Sequence, residues 1–246
     1  MFELLESTDS TNAVALEAAA EGAPHGAAWL ADAQTSGRGR RASGGVRRVW
    51  YSPPGRNIYM SVLLRPQAAP SEVAGVTLAV GAHVCGAIAE ATGLKVWLKW
   101  PNDIYIESRK LAGILTEAVT SAAGVEAVVV GIGFNVNVGR DEVPEALAGV
   151  MTSVRAETGV PADRFALALA LYHAVLAGSA EYFGGGWDAV RDDIERWDGA
   201  AGKAVDVEID GTRHRGVALG IGSRGELRVR VGTTEHAVTS GEVRFL

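Results

Sequence analysis

The residues best suited to binding an anion lie between Gln34 and Trp50, in the segment QTSGRGRRASGGVRRVW. This segment combines four glycines with five arginines, namely Arg38, Arg40, Arg41, Arg47 and Arg48. Arginine presents a planar fork of donors that matches phosphate or carboxylate, and glycine lets backbone N–H groups approach a ligand closely. The segment therefore predicts a loop that closes on a polyanion. On this segment alone, an exposed loop with affinity for nucleic acid is an equal alternative.

A second candidate is KWPND, residues 99–103, which ends a predicted strand. Lys99 offers a point charge for phosphate, and the side-chain oxygens of Asn102 and Asp103 are of the kind that Mg²⁺ prefers. Taken alone, Pro-Asn-Asp is also ordinary turn chemistry.

Two further candidates are the strand segments RKLAGIL, residues 109–115, and GIGFNV, residues 131–136. Lys110 opens an otherwise apolar strand, and Gly113 within it marks close approach of a ligand or of another backbone. The glycines of GIGFNV, followed by Asn135, suit a flat base lying against the backbone. A dinucleotide fingerprint is a poor match, because the third glycine and the following helix are missing. Each segment alone also fits an ordinary core strand.

Smaller features complete the candidate set. Ser10, Thr11 and Asn12 lie at the start of an alanine-rich helix as capping residues, and their hydroxyls and amide are also suited to a polar ligand. Trp50 ends the arginine segment, where it either packs in the core or stacks on a base.

The elements that must position these residues follow from hydrophobic patterning. Strands are predicted at 26–34, 57–66, 95–100, 103–107, 110–119 and 125–138, and helices at 13–22, 70–92, 161–183 and 187–199, with Pro161 in the first turn of the third helix. After Asp198 only short strands with turn punctuation remain, which is typical of a small SH3-like barrel. We therefore predict an α+β fold with a catalytic domain at 1–197 and a β-domain at 198–246.

Composition sets the broad class. The chain has 246 residues, 48% hydrophobic and 21% charged, with a net charge of −6, as expected for a globular protein without a general affinity for nucleic acid. Its one cysteine, Cys85, excludes an intrachain disulfide and fits a buried position in a reducing compartment. No signal peptide or membrane span is predicted, so we expect a cytoplasmic protein.

In their order and spacing, GRGR…W, KWPND, KLAGIL and GIGFNV together resemble the biotin–protein ligases, and the resemblance extends from STDSTN to SGEVRFL. It implies a mixed-sheet catalytic domain like that of class II aminoacyl-tRNA synthetases, followed by an SH3-like domain. It also implies that biotin, ATP and Mg²⁺ give biotinyl-5′-AMP, from which biotin passes to one lysine of a carboxylase's biotin carboxyl carrier domain.

The resemblance also assigns roles by position. It implies biotin binding by Ser10, Thr11, Gln34, Gly37, Arg38, Gly39, Arg40, Lys110, Gly113 and Leu115, and ATP binding by Arg40, Trp50, Lys99, Asn102, Asp103, Lys110 and Asn135. Catalysis would rest on Lys110, Arg40 and Asp103, with Mg²⁺ near Asn102 and Asp103. The insert from Arg41 to Val49 is longer than in the family, so its role is open.

Partners and rivals follow from the same resemblance. Because DSTN begins at residue 9, we expect no N-terminal DNA-binding domain and a ligase that binds no DNA, either a monomer or a homodimer. A lipoate–protein ligase on the same scaffold is the nearest alternative, and a non-catalytic nucleic-acid-binding protein is the alternative from another class.

Overall fold

A seven-stranded mixed sheet lies at the centre of the protein. The computed structural model describes residues 1–41, 47–122, 124–209, 211–241 and 243–245. The strands up to residue 134 are β1 (Phe2–Thr8), β2 (Ala28–Gln34), β3 (Arg38–Arg41), β4 (Arg47–Val49), β5 (Ile58–Leu64), β6 (Trp97–Lys99), β7 (Asp103–Ile106), β8 (Arg109–Ser121) and β9 (Gly124–Phe134). The sheet runs β1-β2-β5-β9-β8-β7-β6, parallel between β1 and β2 and antiparallel elsewhere.

Helices cover both faces of this sheet. They are α1 (Thr11–Ala20), α2 (Val73–Thr92), α3 (Val154–Thr158) and α4 (Arg164–Trp197). The larger core joins α2 and α4 to one face through alternate strand residues such as Met60 and Val130, whereas Leu63 and Val129 point to the opposite face, where α1 packs. Burial on both faces explains why β5 is apolar on both faces, Ser61 excepted, rather than alternating.

The two predicted C-terminal helices form one bent element. Their segments meet at Gly186, where φ is 68° and ψ is −162°, a conformation that a residue with a Cβ rarely adopts. The placement of Pro161 in the first turn is wrong. The helix begins at Arg164, because the Asp163 side chain caps it by accepting hydrogen bonds from the N–H groups of Phe165 and Ala166.

A second, five-stranded antiparallel sheet follows α4. Its strands are β10 (Ala204–Ile209), β11 (Thr212–Ile221), β12 (Leu227–Val231), β13 (Thr234–Val238) and β14 (Val243–Phe245), in the order β13-β12-β11-β10-β14. It packs against the first sheet: the Trp100 indole N–H donates to the Gly225 carbonyl at 2.8 Å, and the rings of Trp97 and Phe245 meet edge to face at 5.2 Å. The predicted α+β fold with a C-terminal β-domain is confirmed, while the domain boundary at residue 198 stays a prediction.

Two helical stretches, Gly75–Thr92 and Arg164–Trp197, are long and apolar enough to cross a membrane by length and composition. Both pack against each other and against the sheet, as core helices of a globular protein do.

Cys85 gives a direct test of this packing. Its side chain is fully buried in α2, and burial raises the pKa of its thiol. We expect no reaction of the native protein with Ellman's reagent, and one thiol per chain after unfolding in guanidinium chloride. Rapid colour development without denaturant would contradict the burial of this helix face.

Candidate active site

A cavity of about 310 Å³ opens between the start of α1, the β3–β4 hairpin, the ends of β7 to β9 and the second sheet. Fourteen of the fifteen predicted site residues line it: Ser10, Thr11, Gln34, Arg38, Gly39, Arg40, Trp50, Lys99, Asn102, Asp103, Lys110, Gly113, Leu115 and Asn135. The exception is Gly37, whose carbonyl accepts the Trp50 N–H at 2.9 Å, so it holds the base of the hairpin rather than the wall. Residues distant in sequence therefore share one hollow.

The arginine segment forms one wall of this cavity. β3 and β4 pair with Arg38 opposite Val49 and Arg41 opposite Arg47, and residues 42–46 of the predicted insert lie outside the described part of the chain. Arg38, Arg40 and Arg48 line the hollow. The positive charge noticed in the sequence thus borders the cavity.

A polar network fixes the end of the cavity next to α1. The Thr11 N–H donates to Gln34 Oε1 at 3.0 Å, and the hydroxyl oxygens of Thr11 and Ser61 lie within hydrogen-bonding distance, at 2.8 Å. Gln34 Nε2 in turn donates to Ser52 Oγ at 3.2 Å. Ser10 is buried at the N-cap position, yet its side chain makes no capping hydrogen bond. Its hydroxyl is therefore available to a ligand rather than committed to the helix.

Asn12 belongs to this end of the cavity, although the family resemblance assigned it no role. Its Nδ2 donates to Glu117 Oε2 at 2.8 Å and to the Leu115 carbonyl at 3.2 Å, while its Oδ1 accepts from the Ser61 hydroxyl at 2.6 Å. Gly131 leaves room for this amide, because a Cβ there would lie 2.0 Å from Asn12 Oδ1. The place of Asn12 in the DSTN run is the sequence signal, and that signal fits helix capping as well as binding of a polar ligand.

An ion pair lies at the centre of the cavity. Lys110 Nζ is 2.6 Å from Asp103 Oδ1, and both side chains are mostly buried. Antiparallel pairing of β7 with β8 brings them together, since Asp103 lies opposite Gly113 and Tyr105 opposite Lys110. Apart from this ion pair, Asp103 Oδ1 has no hydrogen-bonding partner among the described residues. The arrangement provides a positioned cation beside a carboxylate.

In GIGFNV, whose glycines we predicted as a surface for a flat base, Gly133 lies against the indole of Trp50. Gly113 and Gly133 are cross-strand partners, and a Cβ on Gly133 would lie 2.3 Å from Trp50 Cε2. Lys110 Nζ is 5.1 Å from the ring centroid, within reach of a cation–π interaction. Trp50 Nε1 is buried with no partner among the described residues, so it is a donor available to a bound ligand.

Asn135 reaches the same region from the end of β9. It is 3% exposed, and its Nδ2 lies 3.4 Å from the Lys110 carbonyl. Asn57, a fully buried residue that we did not predict, donates to Asn135 Oδ1 at 3.4 Å and accepts the Val136 N–H at 2.9 Å. Asn57 thereby fixes the orientation of the Asn135 amide.

In the KWPND segment, Asn102 ties the turn to β8, and Lys99 lines the cavity. Asn102 Nδ2 donates to the Ile114 carbonyl at 2.6 Å, and the Ile114 N–H donates back to the Asn102 carbonyl at 2.9 Å. The turn is thereby tied to β8. Lys99 Nζ lies 3.4 Å from the Tyr105 hydroxyl and 5.5 Å from the Phe245 ring centroid.

Part of the cavity wall carried no sequence signal. It comes from Leu147, Val150 and Met151, from Val243 in β14 and from Gly241 just before that strand. These residues have no reactive groups, and only tertiary packing brings them to the site.

Residues 4–135 match the model of the biotin/lipoate A/B protein ligase family. The chain belongs to this family. The predicted resemblance to biotin–protein ligases is confirmed. Biotin--[acetyl-CoA-carboxylase] ligase from Mycobacterium tuberculosis is 32% identical over 252 residues, which span 100% of this chain and 89% of that protein.

Other members of the family extend the comparison. A biotin protein ligase from Aquifex aeolicus, solved in complex with biotin and ATP, superposes with a TM-score of 0.82 at 27% identity, over 100% of this chain and 98% of that one. The bifunctional ligase/repressor BirA of Bacillus spizizenii is 40% identical over 155 residues, which are 63% of this chain and 46% of that protein. The chain thus covers about half the length of this longer family member.

Proposed function

We propose that the protein joins biotin to AMP at the expense of ATP and then transfers biotin to a lysine of a carboxylase's biotin carboxyl carrier domain. The observation that carries this proposal is the convergence of the Lys110–Asp103 pair, the arginine wall and the Thr11–Gln34 network on one cavity. The relatives named as biotin ligases support the same choice.

The first step brings two anions together. A biotin carboxylate oxygen attacks the α-phosphorus of ATP, the bond to the β-phosphate bridge breaks, and pyrophosphate leaves. Lys110 and Arg40, both on the cavity wall, would hold the carboxylate and the α-phosphate together and offset the charge that develops between them. Trp50 and Asn135 would bind the adenine, with the unpartnered indole N–H as one donor.

The second step transfers the acyl group. The ε-amine of the carrier lysine attacks the carbonyl carbon of the mixed anhydride, the C–O bond to phosphate breaks, and AMP leaves. Asp103 is the only carboxylate among the described residues that line the cavity, and it would orient the amine or take its proton. Since Lys110 lies 2.6 Å from it, that lysine holds the carboxylate in place.

The residues fit a magnesium ion bound together with nucleotide. Mg²⁺ is usually held by one or two carboxylates plus substrate phosphates. Asp103 supplies one carboxylate, and the Asn102 side-chain oxygen accepts no hydrogen bond from a described residue, so these two would hold the ion. When bound, it would neutralise phosphate charge.

Biotin is favoured over lipoate by the polar end of the cavity. A ureido group has two N–H donors and a carbonyl acceptor, which Thr11, Gln34 and the free Ser10 hydroxyl can match. The dithiolane of lipoate offers no comparable donor and would leave these groups unpaired. Biotin-dependent ATP–pyrophosphate exchange tests the proposal, with lipoate as the competing substrate. Exchange driven better by lipoate would reverse the choice.

The nucleic-acid alternative has its own test. Salt-dependent binding of DNA or RNA without any pyrophosphate exchange would favour it over a ligase. That the protein acts in the cytoplasm, as a monomer or a homodimer, without binding DNA or a membrane, stays a prediction.

Arg40→Gly should loosen the enclosure of the intermediate. Arg40 lines the main cavity and a neighbouring one, so its loss opens the wall beside the proposed phosphate site. We expect adenylate formation to continue while biotinyl-5′-AMP escapes and labels unrelated lysines. Avidin blotting of a bystander protein incubated with the enzyme, biotin and ATP measures this. No increase over the unmodified protein would argue against a retaining role for this wall.

Gly131→Ala should weaken biotin binding by about tenfold, the effect of losing about one well-placed hydrogen bond. The added Cβ would displace the Asn12 amide from its partners Ser61 and Glu117. Calorimetric titration with biotin measures the change. Gly86→Ala is the control, because a Cβ there meets only Trp197 Cζ2, at 3.9 Å. Equal affinities of the two variants would exclude Asn12 from the biotin site.

A further inference from the structure

A cluster of metal-ligating side chains lies in the helical layer and includes no residue of the active-site cavity. It consists of His83 on α2 and of Glu181 and Asp193 on α4, and one ligand atom of each lies within 4.8 Å of the others. His83 Nε2 and Glu181 Oε2 are 3.1 Å apart. Among the described residues, no lysine or arginine forms an ion pair with either carboxylate. The cluster therefore brings one imidazole nitrogen and two carboxylates together.

The bend of α4 creates this cluster. Glu181 and Asp193 are twelve residues apart, and in a straight helix that separation corresponds to about 18 Å along the axis. The left-handed residue Gly186 lies between them and folds the second limb back beside the first. Val190 and Ile194 are fully buried on that limb, so apolar packing holds the fold-back in place. Without the bend at Gly186, Glu181 and Asp193 could not both reach His83.

The imidazole is oriented as a metal ligand needs to be. His83 Nδ1 lies 3.1 Å from the Ala79 carbonyl, and because a carbonyl only accepts, Nδ1 must carry the hydrogen. This contact holds the ring with Nε2 directed toward the carboxylates, where it can act as a metal ligand. Gly178 makes room for this ring, since a Cβ there would lie 2.9 Å from His83 Nδ1 and 3.0 Å from the Ala79 oxygen. The ring and its carbonyl partner are thus seated in a fitted recess.

We propose that His83, Glu181 and Asp193 form a binding site for a zinc-class divalent cation that ties α2 to both limbs of α4. One imidazole nitrogen and two carboxylates suit Zn²⁺ better than Mg²⁺, which prefers oxygen alone. Tetrahedral bonds of about 2.0–2.1 Å place ligand atoms about 3.3 Å apart. The His83–Glu181 separation already meets that distance. Rotation of the Asp193 side chain would bring its carboxylate oxygen to the same distance from the other two ligand atoms. The exposed side chain of Glu181 leaves the fourth position to water.

Titration of the chelator-treated full chain with Zn²⁺ tests the site. We expect one saturable equivalent in calorimetry and a rise in Tm of about 5–10 °C when Zn²⁺ is at 100 times its Kd. Mg²⁺ at the same concentration should produce neither effect. No saturable zinc binding by the unmodified chain would overturn the proposal.

Two conservative variants locate the ion. Asp193→Asn and Glu181→Gln keep side-chain shape and should weaken zinc binding at least about tenfold, which reduces the Tm shift at that zinc concentration to about half or less. Asp192→Asn, on the exposed neighbour of Asp193, and His173→Ala, on the exposed face of α4, should bind as the unmodified chain does. Unchanged zinc affinity in Asp193→Asn would refute the assignment. Because these readouts do not use biotin or ATP, they are independent of the proposed ligase activity.

Discussion

Lys110→Ala should lower biotin-dependent ATP–pyrophosphate exchange by at least about 10²- to 10³-fold, the usual effect of removing a preorganised group that stabilises charge in a transition state. Lys110 is the cation that the structure holds against Asp103, at 2.6 Å, and its ammonium also faces the Trp50 ring. Without it, the biotin carboxylate and the α-phosphate repel each other with one less positive charge between them. The Asp103 carboxylate would also lose its partner, which adds to the effect.

Lys95→Ala is the matched control for this substitution. Lys95 is an exposed lysine just before β6 and does not line the cavity, so its loss should leave exchange unchanged. Thermal unfolding of both variants separates a chemical from a structural effect. Near-normal exchange in Lys110→Ala, with an intact fold, would contradict the role proposed for this residue.

Gly133→Ala should raise the KM for ATP by about 10- to 100-fold. A Cβ at this position would lie 2.3 Å from Trp50 Cε2 and 2.6 Å from Nε1, well inside van der Waals contact. The indole must move or the strand must shift, and overpacking of this kind typically costs about 1–3 kcal/mol. Because Trp50 is proposed to contact the adenine, the displaced ring should affect ATP before biotin.

Gly184→Ala controls for the loss of a glycine itself. Gly184 lies within α4, and a Cβ there meets no atom within 4 Å. Steady-state kinetics with ATP and biotin varied separately distinguish the two substrates. A rise confined to the KM for biotin would contradict adenine binding by Trp50 and assign this residue to the biotin site.

Much of the site was predictable because four motifs occur in an order and spacing that resemble one family. Lys110 opens an apolar strand, and Arg38 and Arg40 are cations among glycines, yet alone each also fits an edge lysine or a surface loop. The α+β class was predictable from hydrophobic patterning, since β5 and β9 are largely apolar segments bounded by turn residues.

The remaining features depend on packing that a sequence pattern does not encode. Asn57 and Asn12 are ordinary polar residues until the fold brings them to Asn135 and Ser61. The glycines of GIGFNV correctly indicated a close approach, but the indole of Trp50 and the amide of Asn12 occupy those positions. The fold-back of α4 rests on the backbone angles of one glycine among three consecutive ones, Gly184 to Gly186.

The wall supplied by Gly241 and Val243 has a consequence for synthesis of the protein on the ribosome. Lys110, Asp103 and the arginine hairpin emerge from the exit tunnel well before β14 does. A nascent chain would therefore expose its charged residues in a hollow that is still open on one side. Competence for chemistry should appear late during translation, when β14 docks beside β10 and Phe245 meets Trp97.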